Sequence, residues 1–126
     1  MIVAGVGCRR GTSADELEKV VRLALGAHDL PAERLAAIAT ESAKAAEPAF
    51  PELARRLSVR LVPCTVADLD GVASQVLTPS KLVLEAKGLP SIAEASAVVA
   101  AGRNARLLGA RIATERATCA IATGEG

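Results

Sequence analysis

Aromatic side chains are almost absent from this sequence: Phe50 is the single phenylalanine among 126 residues, and there is no Trp or Tyr. The chain therefore has no platform on which unpaired bases could stack. The formal net charge is only +1, with charges of both signs scattered along the chain, so no basic field exists to hold a phosphate backbone. These two absences argue against nucleic-acid binding, and they require any apolar ligand contact to be aliphatic.

Closely spaced cysteines and long apolar runs are absent as well. Cys8, Cys64 and Cys119 lie far apart and form no CxxC or zinc-finger spacing. This pattern is typical of reduced thiols in a cytoplasmic protein, and it predicts no metal site. No run approaches the ~18–20 apolar residues of a membrane span. We therefore expect a cytoplasmic protein that makes no membrane contact, and no motif indicates a cofactor.

The first half of the chain alternates short apolar runs with helix-like segments. With 51% hydrophobic residues, the chain is long enough for one domain that buries its own core. The apolar runs predict three buried strands, at residues 1–6, 34–40 and 59–63. Helical spacing and capping residues predict helices at residues 13–27, at residues 50–57 and after Thr65, which pairs with Asp68.

The second half adds two predicted helices and a closing hairpin. The helices are expected at residues 78–88 and 91–102, the second opened by a capping box of Ser91 and Glu94. Two apolar runs, at residues 105–114 and 117–123, predict an antiparallel hairpin that edges or completes the sheet. The whole pattern predicts a single three-layer α/β/α domain with a mostly parallel sheet and a C-terminal antiparallel hairpin.

The most distinctive stretch is GVGCRRGTS, at residues 5–13, between the first strand and the first helix. Such a junction directs free backbone N–H groups and the positive end of a helix dipole at one point, which favours an anion. Arg9 and Arg10 offer forked guanidinium groups to carboxylates. The surroundings of Cys8 predict a lowered thiol pKa, although His28, at the far end of the helix, is too distant to pair with it. The alternative is a tight turn that carries two solvated arginines.

A second candidate segment, TESAKAAEP at residues 40–48, follows the second strand. Ligands bind beyond the carboxyl ends of parallel strands, so we expect this segment to lie beside the first loop. Lys44 and Glu47 are three residues apart, near enough to pair, and Glu41 can accept a hydrogen bond from either neighbour. The alternative is a solvated helix entrance.

Four segments occur in an order that resembles one known family: GVGCRRGTS, AIATESAKAAEPAF, PSIAEASAVVAAG and RATCAIA. Together they resemble the CobE family, which is also the C-terminal domain of CbiG, in cobalamin (vitamin B12) biosynthesis. The resemblance covers residues 2–122, and we expect the stand-alone CobE type rather than full-length CbiG. It implies an α/β/α domain that acts on corrin-ring intermediates, which carry many acetate and propionate groups.

The resemblance also implies which residues contact the ligand, a corrinoid or precorrin intermediate. They are Gly7, Cys8, Arg9, Arg10, Gly11, Thr12, Glu41, Lys44, Glu47 and Thr118. The chain departs from the family pattern at the start of the final hairpin, where Arg111 replaces a lysine. This change keeps the charge but not lysine-specific chemistry.

Three functions are consistent with this reading. CbiG is associated with opening a lactone on a cobalt-containing ring and releasing acetaldehyde, for which Lys44, Glu47 and Cys8 are the catalytic candidates. The residues themselves present no base and nucleophile at convincing spacing, so we favour binding of a carboxylate-rich intermediate. The third hypothesis is a partner domain that docks on other enzymes of the pathway.

Overall fold

One mixed sheet forms the centre of the computed structural model, which describes residues 1–77 and 91–126. The six strands of this described part are β1 (Ile2–Cys8), β2 (Leu35–Glu41), β3 (Arg60–Cys64), β4 (Arg106–Leu107), β5 (Ile112–Ala113) and β6 (Ala117–Thr123). Their order is β3-β2-β1-β6-β4, and β5 also pairs with β6. Three parallel strands, β1 to β3, therefore lie beside an antiparallel C-terminal part.

Helices cover both faces of the sheet. They are α1 (Ala14–Ala27), α2 (Ser42–Ala45), α3 (Ala49–Leu57), α4 (Val66–Asp70) and α5 (Ile92–Ala101), with 3₁₀ turns at Ala32–Arg34 and Ala73–Gln75. The helices α1 and α3 pack on one face and α4 and α5 on the other, which gives two apolar cores. Successive residues of β1 point into opposite cores, Val3 into one and Ala4 into the other. The predicted three-layer α/β/α fold is thus confirmed.

Local capping explains where two of the helices begin. The Ser13 side chain accepts from the amide of Glu16 while the Glu16 carboxylate accepts from Ser13, and Thr65 forms the same reciprocal pair with Asp68. Each box satisfies amides that the first helical turn leaves without a partner. Both predicted helix starts are confirmed.

The predicted capping box of Ser91 and Glu94 is wrong. Ser91 precedes α5, but its side chain makes no capping hydrogen bond. Glu94 is fully buried, and its Oε2 accepts from the backbone amide of Arg111 at 3.3 Å. A long-range contact has replaced the local one, and it joins Glu94 to Arg111, which lines the candidate site described below. The helix predicted at residues 78–88 lies outside the described residues.

The C-terminal hairpin contributes an interior strand to the sheet. Strand β6 pairs with β1 along seven residues, from Ile2–Thr123 to Cys8–Ala117, so it lies between β1 and β4 rather than at an edge. The first apolar run of the predicted hairpin splits into two short strands, β4 and β5, which pair with successive parts of β6. The amino end of β6 therefore lies beside the carboxyl end of β1.

Candidate ligand-binding cleft

A cleft of about 360 Å³ opens where the carboxyl ends of β1 and β2 meet the amino ends of β6 and α5. Six of the ten residues predicted to contact the ligand line it: Gly7, Cys8, Arg9, Glu41, Lys44 and Thr118. The two loops come together because β1 and β2 are parallel neighbours. Thr118 joins them because it lies opposite Gly7 in the pairing of β1 with β6, and its hydroxyl donates to the Gly7 carbonyl at 3.4 Å.

Arg10, Gly11, Thr12 and Glu47 are not among the residues that line the cleft. Thr12 is buried, and its hydroxyl donates to the Arg9 carbonyl at 2.7 Å. Arg10 is exposed. Gly11 has a φ of 78°, a left-handed conformation that favours glycine, and this lets the loop turn into α1. These residues shape the loop beside the cleft.

The loop amides do not form the free anion site that the sequence suggested. The amide of Arg9 donates to the Arg116 carbonyl at 3.0 Å, and that of Thr12 donates to the Arg9 carbonyl at 3.2 Å. The amide of Gly11 donates to Glu47 Oε1 at 3.2 Å. The capping box likewise occupies the amides of Ser13 and Glu16, so the protein itself takes up these five donors. These amides are therefore not free to meet a ligand.

Lys44 and Glu47 form the pair expected from their spacing. Lys44 Nζ lies 3.2 Å from Glu47 Oε2, and both side chains are about four-fifths buried, with exposed fractions of 18% and 24%. The Gly11 amide, with Lys44 as a further contributor, lowers the pKa of Glu47. Glu47 thus connects the two loops, while Lys44 reaches the cleft.

The thiol of Cys8 departs from the expectation of an activated nucleophile. Burial raises the pKa of Cys8, and this effect outweighs the lowering influence of Lys44 and the hydrogen bond with Thr12. The predicted lowering of this pKa is therefore wrong, because half-burial dominates over nearby positive charge. His28 caps the opposite end of α1 and is not among the residues lining the cleft.

The hairpin supplies the other wall of the cleft, of which the sequence indicated only Arg111, through the family resemblance. Its contributions are Arg111, Thr114, Glu115, Arg116 and Ala117, and α5 adds Ile92. Nη1 of Arg111 donates to Ser91 Oγ at 3.5 Å. Arg116 Nε lies 3.4 Å from Glu16 Oε2, without hydrogen-bond alignment. The signal that could have found these arginines is the pairing of β6 with β1, which joins segments more than a hundred residues apart.

The charge of the cleft is predominantly positive. Its lining includes four cationic side chains, Arg9, Lys44, Arg111 and Arg116, against two acidic ones, Glu41 and Glu115. The apolar part of the lining consists of small or aliphatic groups such as Ile92 and Ala117. Such a cleft can bind a flat or branched anion through charge-assisted hydrogen bonds and aliphatic contact.

Candidate metal-ligating clusters and candidate membrane-spanning helices are both absent from the described residues. Within residues 1–77 and 91–126, no three His, Cys, Asp or Glu side chains are grouped so that they could hold a metal ion. In the same part of the chain, no helix combines the length and hydrophobicity needed to cross a bilayer.

Comparisons with known proteins agree on one family. The family model described as cobalamin synthesis G C-terminus matches residues 2–122. The chain is 34% identical over 121 residues to protein CobE from a Sinorhizobium species, covering 96% of this chain and 79% of that protein.

Three solved structures share the fold. A crystal structure of CobE, described as a protein from the cobalamin (vitamin B12) biosynthetic pathway, matches with a TM-score of 0.91 at 36% identity, over 97% of this chain and 89% of that one. The cobalamin biosynthesis protein chiG from Agrobacterium tumefaciens matches with a TM-score of 0.79 at 36% identity over the full length of both chains. A putative cobalamin biosynthesis protein G homologue from Sulfolobus solfataricus matches with a TM-score of 0.76 at 27% identity, over 98% of this chain but 37% of that longer protein.

Proposed function

This chain belongs to the CobE family of cobalamin biosynthesis proteins, which also includes the C-terminal domain of CbiG, and we propose that it binds a carboxylate-rich corrinoid or precorrin intermediate. The intermediate would lie in the cleft. The observation that carries the proposal is the convergence of Arg9, Lys44, Arg111 and Arg116 on one cleft. These side chains come from three separate parts of the fold. Guanidinium and ammonium groups arranged in this way suit the several carboxylates of such a ring.

The size of the cleft limits how the ligand is held. At about 360 Å³, it lies near the lower end of the ~300–1,000 Å³ typical of ligand pockets. We therefore expect it to take one edge of the macrocycle and the acetate or propionate groups on that edge. The aliphatic contact for the ring comes from Ile92 and Ala117, because the lining has no aromatic side chain.

Energetics favour several simultaneous carboxylate contacts. One charge-assisted hydrogen bond contributes about 1.5–3 kcal/mol, whereas association costs about 4–15 kcal/mol. A single arginine is therefore insufficient, and three or four cationic contacts together with ring burial are needed for stable binding. The cleft lining offers four cations for such contacts.

The proposal is confined to binding. The raised pKa of Cys8 keeps its thiol protonated near neutral pH, and Lys44 is paired with Glu47. A protonated thiol and an ion-paired ammonium are poor nucleophiles, so the state described here favours holding an intermediate over hydrolysing one. The thiols of Cys8, Cys64 and Cys119 are free, which fits the reducing cytoplasm, where we expect this binding to take place.

A titration tests the proposal directly. Since the chain has no Trp or Tyr, the visible absorbance of the corrinoid itself is the suitable signal, and hydrogenobyrinic acid is the probe. We expect a saturable spectral shift with the native protein. Replacing Arg9 or Lys44 with Ala should weaken binding about tenfold each, as expected from the loss of one charge-assisted contact.

Arg22→Ala is the matched control. Arg22 is exposed on α1 and paired with Glu18, and it is not among the residues lining the cleft, so its loss should leave the affinity unchanged. An unchanged spectrum with the native protein would overturn the proposal. So would equal losses of affinity for Lys44→Ala and Arg22→Ala.

A further inference from the structure

A buried acid lies directly behind the cleft. Glu94, on the first turn of α5, has no exposed surface. Acidic side chains are rarely buried to this extent unless the fold uses their hydrogen bonds. The sequence suggested that Glu94 served as a helix cap, but Ser91 makes no capping bond with it. Its place in the fold therefore needs another explanation.

Ser91 and Glu94 both contact one residue of the hairpin. Glu94 Oε2 accepts from the amide of Arg111 at 3.3 Å, and Ser91 Oγ accepts from Arg111 Nη1 at 3.5 Å. The backbone and the guanidinium of the same arginine are thus both held by the start of α5. Ser91 is itself fully buried, so both acceptors lie within the packed interior.

We propose that Ser91 and Glu94 are positioning residues that fix Arg111 as the specificity-determining cation of the cleft. A guanidinium has five N–H donors, and the structure assigns one of them to Ser91. The others can form a forked pair with a ligand carboxylate, and an arginine already held in place loses less freedom when it binds. The inference rests on the proposed function, because it names the cation that selects a carboxylate there.

A double-mutant cycle separates positioning from general structural support. Affinity for hydrogenobyrinic acid would be measured for Ser91→Ala, Glu94→Gln and Arg111→Ala, and for each of the first two combined with Arg111→Ala. If Ser91 and Glu94 act through Arg111, Ser91→Ala should weaken binding about three- to tenfold. Glu94→Gln, whose amide oxygen is a weaker acceptor than a carboxylate, should weaken it less. Neither should weaken it further once Arg111 is Ala.

The proposal would be overturned if the Ser91 and Glu94 changes reduced the affinity by the same factor in the Arg111→Ala background as in the native protein. A purely structural role does not depend on Arg111. Urea unfolding of every variant verifies that it is folded. Glu94→Gln changes a fully buried group and is the variant most at risk of failing to fold. Ser91→Ala removes only one hydroxyl, and it keeps the cycle informative.

A ligand-independent readout distinguishes failure of this inference from failure of the proposed function. Phenylglyoxal modifies free guanidinium groups. The native protein is labelled, then digested, and mass spectrometry of the peptides reports the rate at Arg111. We expect Ser91→Ala to raise this rate about threefold, because the lost hydrogen bond releases the guanidinium, while the rate at Arg22 stays the same. An unchanged rate at Arg111 would overturn the positioning role, whether or not the corrinoid binds.

Discussion

At the scale of single residues, Glu47 occupies the place where a ligand anion was expected. Its two carboxylate oxygens lie 3.2 Å from the Gly11 amide and 3.2 Å from Lys44 Nζ. The Glu47 carboxylate, in the segment after β2, therefore accepts a hydrogen bond from the loop after β1. This makes Glu47 an internal tie between the two loops, with Lys44 as the group that it presents to the cleft.

The pH dependence of stability tests this tie. The pKa of Glu47 is lowered in the folded protein, chiefly by the Gly11 amide. A lowered folded-state pKa stabilises the protein above the ordinary glutamate pKa of about 4.3, and this contribution is lost as the pH falls through the folded value. Glu47→Gln should therefore lower the unfolding free energy at pH 7, by less than about 1 kcal/mol for a partly exposed pair.

Urea unfolding between pH 7 and pH 3 provides the measurement. The difference between native protein and Glu47→Gln should shrink steadily below about pH 4.3. The control is Glu33→Gln, at an exposed position of the turn Ala32–Arg34, which should match the native protein throughout. A difference for Glu47→Gln that stays constant with pH would contradict the assignment.

Single residues also show what the sequence could predict of the site. Arg9 and Lys44 were found because each follows a strand of a parallel pair, and the carboxyl ends of such strands share an edge. Arg111 and Arg116 were not found as site residues, because their position depends on β6 joining β1. The state of Cys8 was mispredicted because its burial is set by tertiary packing.

At the scale of elements, the close approach of α5 to β1 positions the back of the cleft. A Cβ atom added at Gly5 would overlap the Ala93 carbonyl oxygen and would lie 2.5 Å from the Ala97 nitrogen. The helix lies this near because its facing residues are small: Ala93, Ser96 and Ala97. Since Ser91 and Glu94 lie at the start of this helix, its distance from the sheet also sets their reach to the hairpin.

Gly5→Ala therefore should destabilise the protein strongly. The added methyl group meets backbone atoms of a packed helix, so α5 must shift, at a cost of about 2–3 kcal/mol in unfolding free energy. Gly26→Ala is the matched control: nothing lies within 4 Å of its added Cβ, and the change should stabilise α1 by about 0.5–1 kcal/mol. Urea unfolding measures both, and a Gly5→Ala protein as stable as the native one would refute the close packing.

The elements predicted correctly are those specified locally. The helix α1 has a reciprocal cap and a continuous apolar stripe, and β1 and β2 are short apolar runs buried on both faces. The failure at Ser91 has the opposite cause: the spacing of a capping box is present, but Glu94 bonds to Arg111, 17 residues away. Local patterns predict an element until a distant partner competes for the same side chain.

At the scale of the whole molecule, the distribution of charge matters more than its sum. The formal net charge is +1, yet the cleft has twice as many cationic as acidic side chains. Away from the cleft, Arg56 of α3 is neutralised by Asp15, Glu18 and Glu52. The lining thus concentrates positive formal charge where an anionic ligand would enter.

This concentration predicts a strong dependence of ligand binding on ionic strength. Charges are screened beyond about 10 Å at 0.1 M salt but beyond about 3 Å at 1 M, so affinity for hydrogenobyrinic acid should fall at least about tenfold over this range. Arg116→Ala should weaken binding and flatten the dependence, because one cation of the cleft is lost, whereas Arg22→Ala should follow the native protein. Visible-absorbance titrations at several sodium chloride concentrations measure both slopes. Affinity that rises with salt would mean that apolar burial of the ring dominates, and the four cations would then contribute little to holding the ligand.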